Sequence, residues 1–222
     1  MLDKLLIKPT IKINNEIISE VETAKTLGIN FDRNLRWSKQ FTGLLPSSYY
    51  KLKHMQKFKN ILPINLKLKI CDALILSPYN YCAGLFVGAE QSLKNRIQKL
   101  QNACLRFSYG LKRRQHITEY LQRSGWKDMD TRRKHQLRKL VQKIKHNKQP
   151  EYLYNKLRQL MSNHKHFTPH KNDLRIPKHN STTYKKSFTY LSSNLWNLTR
   201  DGNELTNKGP IIKPLDNLQI NM

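Results

Sequence analysis

The chain has 222 residues and a formal net charge of +26, because 41 lysines and arginines stand against 15 aspartates and glutamates. Self-repulsion at this charge is large unless a polyanion lies close by, so the composition favours a nucleic-acid partner, and the length favours one large domain or two small ones. The composition disfavours membrane binding, because no apolar run approaches the roughly 20 residues of a spanning helix.

Two short β elements are predicted at the start of the chain. Residues 5–18 alternate loosely between apolar and polar side chains around Asn14-Asn15, a pattern that is typical of a hairpin. Residues 24–31 form a second predicted strand. Gly28 lies inside it and indicates a bulge or a close backbone approach.

Helices are predicted after these strands. We expect the first to run from Tyr49, because Gly43 and Pro46 should break any helix that begins earlier. Pro63 is well placed to open the next helix, and Pro78 is expected to end it. The predicted apolar face of that helix consists of Leu66, Ile70 and Leu74.

The clearest helical pattern covers residues 91–108. One apolar stripe repeats there at helical spacing and contains Leu93, Ile97, Leu100, Cys104 and Phe107. Lysines and arginines surround the stripe, and Gly110 is a suitable stop. We therefore expect this helix to lie at the centre of the helical part of the protein.

The second half of the chain predicts further helices separated by a polar segment. A short helix is expected over residues 116–124, and a longer one from a cap at Asp128 or Asp130 to about His146. Leu137, Val141 and Ile144 should face inward on the longer helix. Pro150 opens a helix through Leu160, the composition becomes polar from residue 162, and residues 187–198 predict a last short helix. The predicted fold class is mainly α, with a small N-terminal hairpin, a helical bundle and an irregular C-terminal segment.

The thiols and imidazoles predict neither a disulfide framework nor a metal site. Cys71, Cys82 and Cys104 are an odd set with wide gaps, which indicates a reducing compartment, the nucleus or cytoplasm, rather than secretion. The N-terminal segment is also too short and too charged for a signal peptide. A cluster of histidines favours a polar linker over a zinc site, since its spacing matches no finger: His164, His166, His170 and His179.

No catalytic residue is predicted. Polymerases bind two magnesium ions through carboxylates that lie close together, and the nearest local pair in this sequence is Asp128 and Asp130. Both precede or open a strongly basic helix, where acidic side chains act as a cap and complement the helix dipole. The capping interpretation is therefore preferred.

Cationic clusters carry the strongest functional signal. Lys112-Arg113-Arg114 follow a glycine, Arg132-Arg133 open a helix, and Arg106 lies on the central helix. Aromatic side chains nearby are possible stacking partners for bases, as in single-strand binding proteins. The alternative for any one residue is a lysine or arginine that merely solvates a helix face.

Several short motifs follow one another in a fixed order. Lys25-Thr26-Leu27-Gly28 precede Asp32, Leu35 and Trp37; Gln101-Asn102 precede Arg106; Gly125-Trp126 precede Arg132-Arg133; and Leu195-Trp196-Asn197 close the series. This order resembles the region that follows the catalytic palm in reverse transcriptases of non-LTR retrotransposons, in particular the jockey-like elements. Each motif alone is weak, and the order and spacing carry the resemblance.

The resemblance implies a division of the chain into three parts. Residues 1–37 are similar to the end of a palm, with a primer grip at Lys25, Leu27 and Gly28. Residues 38–160 look like a thumb that holds a primer–template duplex of RNA and DNA, and residues 161–222 like a basic linker with a loosely ordered C-terminal segment. The palm aspartates of the family lie before this region, so magnesium is expected only in an intact parent polymerase, and the chain itself is expected to be catalytically inactive.

Departures from the family pattern predict a truncated copy. Thr26 replaces a frequent tyrosine, and Leu198-Thr199 stand where the family has leucine-proline. Two other interpretations stay open: a stand-alone basic RNA-binding or structural protein, and an independent enzyme such as a nuclease. A nuclease would need clustered carboxylates, whereas the 15 acids of this chain are scattered.

Overall fold

The structure, a computed structural model, describes residues 10–160 and 173–198. The chain begins with two antiparallel hairpins: β1 (Ile11–Ile13) with β2 (Glu16–Ile18), and β3 (Thr23–Thr26) with β4 (Ile29–Asp32). The first turns at Asn14-Asn15, as predicted, with positive φ angles of 49° and 67°. Backbone of this kind matches the twist of paired strands.

Gly28 occupies the turn of the second hairpin rather than the interior of one strand. Leu27 and Gly28 have φ angles of 49° and 80°, and Thr26 pairs with Ile29 across them. A Cβ at Gly28 would meet no atom within 4 Å. The predicted bulge or close approach was therefore wrong, because the glycine serves the left-handed turn conformation instead.

The remainder of the described chain is mainly helical, as the sequence predicts. The α helices are α1 (Ser38–Thr42), α2 (Leu44–Met55), α3 (Ile64–Ile70), α4 (Ser77–Asn80), α5 (Gln91–Tyr109), α6 (Thr118–Arg123), α7 (Met129–Asn147), α8 (Glu151–Leu160) and α9 (Phe188–Leu198). Short 3₁₀ turns lie at Gln56–Phe58, Ala83–Gly88 and Tyr184–Lys186. Residues 161–172 and 199–222 lie outside the described residues. The first of these ranges contains His164, His166 and His170.

The start of α2 differs from its prediction. The helix begins at Leu44, five residues before Tyr49, and includes Pro46. Pro46 falls in the first helical turn, where a backbone N–H has no acceptor within the helix. The proline is therefore compatible with the helix, and the prediction that it breaks the helix was wrong.

The buried face of α3 also differs from its prediction. Leu66 and Leu74 are 41% and 58% exposed, whereas Lys67, Cys71 and Ile75 are buried. This face packs against α5, where the Lys67 ammonium lies 5.9 Å from the centre of the Phe107 ring. Contact with α5 therefore decides which face is buried. The buried positions each lie one residue after a predicted position.

Pro78 does not end the helical segment that begins with α3. A π-helical stretch, Cys71–Leu76, joins α3 to α4, and Pro78 lies at the start of α4. A proline cannot donate a backbone N–H to the carbonyl four residues before it, and wider helical turns accommodate such a gap. The helix ends two residues later, at Asn80.

The core forms around α5. Its predicted apolar stripe is buried throughout, and Gly110 ends the helix with a φ of 70°. The stripe packs against α2, α3 and α7. A second, smaller core joins α7 to α8 and α9, so the described part of the C-terminal segment packs on the helical body.

The cap of α7 confirms its prediction. The Asp128 carboxylate accepts the Thr131 backbone N–H at 2.9 Å and the Thr131 hydroxyl at 2.6 Å. Asp130 forms ion pairs with Lys94 at 3.0 Å and Lys134 at 2.7 Å. Within residues 10–160 and 173–198, no three His, Cys, Asp or Glu side chains form a group that could hold a metal ion. None of the helices in these two ranges is long and apolar enough to cross a membrane.

Candidate nucleic-acid interface

The motif around Asp32 joins the second hairpin to the helical body. The Asp32 carboxylate accepts backbone N–H groups from Asn34 at 3.1 Å, Arg36 at 2.8 Å and Trp37 at 2.7 Å. Trp37 is buried and meets Phe86 edge-on, with 5.1 Å between ring centres. Asp32 and Trp37 therefore have structural roles, which account for their presence in the motif.

The same hydrogen bonds predict a pH-dependent contribution to stability. Burial raises the pKa of Asp32, but the donated N–H groups outweigh burial, so the pKa lies below its ordinary value. A carboxyl group with a lowered pKa stabilises the fold above its unfolded-state pKa of about 3.9, and this contribution is lost as pH falls through the folded-state value. Asp32→Asn should lower the free energy of unfolding by about 1–2 kcal/mol at pH 7, since Asp32 is only partly buried.

Urea unfolding at pH 7 and at pH 3 measures this effect. The difference between wild type and Asp32→Asn should shrink at pH 3, because the wild-type carboxyl approaches protonation. Glu16→Gln, at an exposed position of β2, is the matched control and should show little change at pH 7. An equal difference at the two pH values would show that the Asp32 charge is not responsible.

The predicted primer-grip residues lie exposed at the tip of this hairpin. Lys25 and Gly28 are exposed, and Leu27 is 86% exposed. The Tyr81 hydroxyl donates a hydrogen bond to the Leu27 carbonyl at 3.0 Å. Just after the hairpin, Arg36 lies 3.7 Å from the carboxylate of Glu90, the residue that precedes α5. The hairpin tip thus contacts the segment after α4, and the chain that follows the hairpin reaches the residue before α5.

Lys112, Arg113 and Arg114 lie beyond the other end of α5. The Arg106 carbonyl accepts the N–H groups of Gly110 and Leu111, and this cap fixes where the chain leaves the helix. All three basic side chains are exposed, and none of them forms an ion pair with another described residue. Their charges are therefore available to an external anion.

Further cationic and aromatic side chains surround this helix end. The side chain of exposed Lys59 passes 3.9 Å from the place of a Cβ on Gly110. Tyr109 and Tyr120 bring their rings to 5.1 Å, and the Arg123 guanidinium lies 5.7 Å from the Tyr120 ring. We define the basic end of α5 as Lys59, Lys112, Arg113 and Arg114.

The remaining predicted arginines are partly or fully buried. Arg106 is half-buried, and its Nε is buried without a hydrogen-bond partner among the described residues. Arg132 is held by Asp72, with 2.6 Å between Nη1 and Oδ1, and by the Lys127 carbonyl at 3.1 Å. Its guanidinium also lies 5.4 Å from the Trp126 ring. Neither arginine extends the basic end of α5.

Arg133 is placed in the interior. It is 1% exposed, and its three guanidinium nitrogens have no hydrogen-bond partner among the described residues. Burial lowers the pKa of Arg133, although the nearby carboxylates of Asp130 and Asp128 oppose this shift. The predicted phosphate contact by Arg133 does not fit this placement, because the helical repeat of α7 puts the residue in line with Met129 and Leu137.

Sequence reasoning missed the structural roles of two glutamines on α5. Gln101 is fully buried and donates to the Lys127 carbonyl at 2.9 Å. Gln98 accepts the Met129 backbone N–H at 2.9 Å. These bonds join α5 to the start of α7, and the available signal was the position of Gln101 beside the apolar stripe.

The closing motif has a similar explanation. The Asn197 side chain both accepts the Leu174 N–H and donates to the Leu174 carbonyl, each at 2.9 Å. The Lys145 ammonium lies 3.9 Å from the Trp196 ring centre. Together these contacts hold α9 and the segment before it against α7.

Comparisons with protein-family models, with curated proteins and with solved structures found no match to this chain. Its function is therefore inferred from the placement of its exposed charged and aromatic side chains.

Proposed function

We propose that this chain binds a primer–template duplex of RNA and DNA, as the thumb-like region of a jockey-like reverse transcriptase without the catalytic palm. The observation that carries the proposal is the basic end of α5. Three consecutive cations, Lys112, Arg113 and Arg114, are exposed beyond the capped end of α5 and form no ion pair with another described residue. Such a site neutralises backbone phosphates and releases counterions, with little dependence on base sequence.

The separation of the two exposed predicted sites also supports the proposal. The hairpin that carries Lys25 and Gly28 contacts Tyr81, the chain just after the hairpin pairs with Glu90 before α5, and the arginines follow the C-terminal end of α5. A helix of 19 residues is about 28 Å long. A duplex that lies alongside α5 would need to span about this length to contact both sites.

The proposed activity is binding, without catalysis by this chain. Asp128 caps α7 and Asp130 pairs with two lysines, so the nearest carboxylate pair is already engaged. Magnesium chemistry would belong to the palm aspartates of an intact parent polymerase. An adjoining reading frame that encodes such a palm would support the reverse-transcriptase origin.

Charge reversal at the basic end of α5 tests duplex binding. Arg113→Glu/Arg114→Glu should make the plot of log affinity against log salt shallower by about 1.8, since each lost phosphate contact contributes about 0.9. The affinity at 0.1 M salt should fall on the order of 10–100-fold. Fluorescence anisotropy with a labelled RNA–DNA duplex at several salt concentrations measures both quantities.

The matched control is Lys143→Glu/Lys156→Glu, which changes the net charge equally at exposed positions of α7 and α8. It should retain most of the affinity. Equal losses in the two double variants would reduce the effect to net charge and contradict a localised site. Both variants should keep the wild-type circular dichroism spectrum, because all four side chains are exposed.

A further inference from the structure

Two adjoining cavities meet at Asp72, on the π-helical stretch after α3. One has a volume of about 440 Å³ and is lined in part by Leu68, Ala73 and Trp126. The other has a volume of about 390 Å³ and is lined in part by Lys127, Arg132 and Lys139. Both volumes lie in the range of small-ligand sites, roughly 300–1,000 Å³. We name the pair of cavities the Asp72 groove.

The second cavity is cationic. Arg132 is paired with Asp72, whereas Lys127 and Lys139 form no ion pair with another described residue. Arg132 and Lys139 lie seven positions apart on α7 and therefore point to one side of the helix. Asp72 is the only carboxylate among the described residues that line this cavity, and it is paired with Arg132. The two lysines therefore give the cavity a net positive charge.

The first cavity offers an aromatic surface. Trp126 is half-buried, lines the cavity and carries the Arg132 guanidinium 5.4 Å from its ring centre. Aromatic rings and guanidinium planes are the groups on which unpaired bases stack. The groove thus combines a recess lined by an aromatic ring with an adjacent place for phosphate.

We propose that the Asp72 groove binds a single-stranded segment of RNA or DNA, with a base beside Trp126 and the flanking phosphates on Lys127 and Lys139. A single strand fits because its bases are free to leave the stack and enter a recess, whereas those of a duplex are paired. The inference rests on the proposed function in that the partner is a nucleic acid. In the sequence, the six residues of α6 lie between Lys112, Arg113 and Arg114 and the groove residues Ser124 and Trp126.

Two variants should have effects of opposite sign. Lys127→Glu/Lys139→Glu should weaken binding of a labelled 12-nucleotide single strand at least tenfold and change duplex affinity less than threefold. Asp72→Asn should raise single-strand affinity several-fold, because it removes the only lining carboxylate and frees Arg132. Glu16→Gln, at an exposed position of β2, is the matched control for the loss of one negative charge, and an equal rise in that variant would reduce the effect of Asp72→Asn to net charge. Lys143→Glu/Lys156→Glu serves again as the control for net charge.

Trp126 provides a direct signal. The chain has three tryptophans; Trp37 is 3% exposed, and Trp196, half-buried on α9, has the Lys145 ammonium 3.9 Å from its ring centre and is not among the described residues that line the groove. Saturable quenching of tryptophan fluorescence by oligothymidylate is therefore expected in wild type and should be absent in Trp126→Phe. Inorganic phosphate should fail to displace the oligonucleotide at an equal concentration of phosphate groups.

The outcomes separate the two proposals. If wild type binds neither duplex nor single strand, the proposed function and the groove both fail. If duplex binding depends on Arg113 and Arg114 but single-strand binding ignores the changes at Asp72, Lys127 and Lys139, the groove alone fails. If inorganic phosphate displaced the oligonucleotide equally well, the site would be a simple anion pocket, and the proposal that it binds a single strand would be wrong.

Discussion

Trp37→Ala is expected to lower the free energy of unfolding by about 3–5 kcal/mol, the usual cost of removing a large aromatic side chain from a core. Trp37 is 3% exposed and contacts the rings of Phe31 and Phe86, with centres 5.4 Å and 5.1 Å away. Its removal leaves a cavity where the second hairpin joins the helical body. Urea unfolding followed by circular dichroism measures the loss.

Leu27→Ala is the matched control within the same motif. Leu27 is 86% exposed, so its truncation should change the free energy of unfolding by no more than about 0.5 kcal/mol. Similar losses of unfolding free energy in Trp37→Ala and Leu27→Ala would contradict the finding that Trp37 is a core residue and Leu27 an exposed one. If the tip contacts nucleic acid, Leu27→Ala should instead weaken duplex binding.

Arg133→Met is expected to stabilise the protein by about 1–3 kcal/mol, the cost of burying a polar group without a compensating hydrogen bond. Arg133 is 1% exposed, and all three of its guanidinium nitrogens lack hydrogen-bond partners among the described residues. Burying such a group costs free energy that an apolar side chain does not. Methionine keeps a long, flexible shape that fills the same space on α7.

Arg113→Met is the control that separates the stability effect of the buried guanidinium from the loss of one positive charge. It removes one positive charge from an exposed position, so stability should change by no more than about 0.5 kcal/mol while duplex affinity falls. Arg133→Met should leave duplex affinity within twofold of wild type. A destabilised Arg133→Met, or one that binds duplex more weakly than Arg113→Met, would show that the guanidinium has a partner.

The sequence by itself determined the helical class of the protein and most helix bounds. Residues 91–108 carry an unbroken apolar stripe followed by Gly110, and α5 ends one residue beyond the predicted range. Asp128 and Asp130 were the two candidate caps of α7, and the hydrogen bonds to Thr131 identify Asp128 as the cap. These features are local, because helical spacing and capping depend only on residues within a few positions of each other.

Tertiary contacts decided which side chains are buried. The sequence of α3 offered Leu66 and Leu74 for burial, but packing on α5 covers Lys67 instead. Periodicity describes the angle between side chains on one helix and cannot specify which neighbour covers them.

The same reason explains the candidate site. Arg113 and Arg133 were equivalent as basic residues, and only the fold exposes the first and encloses the second. The Asp72 groove depends on the contact between Asp72 and Arg132, which are 60 positions apart, so no local pattern could indicate it. Local spacing therefore determines helices, whereas the exposure of each charge depends on how those helices pack.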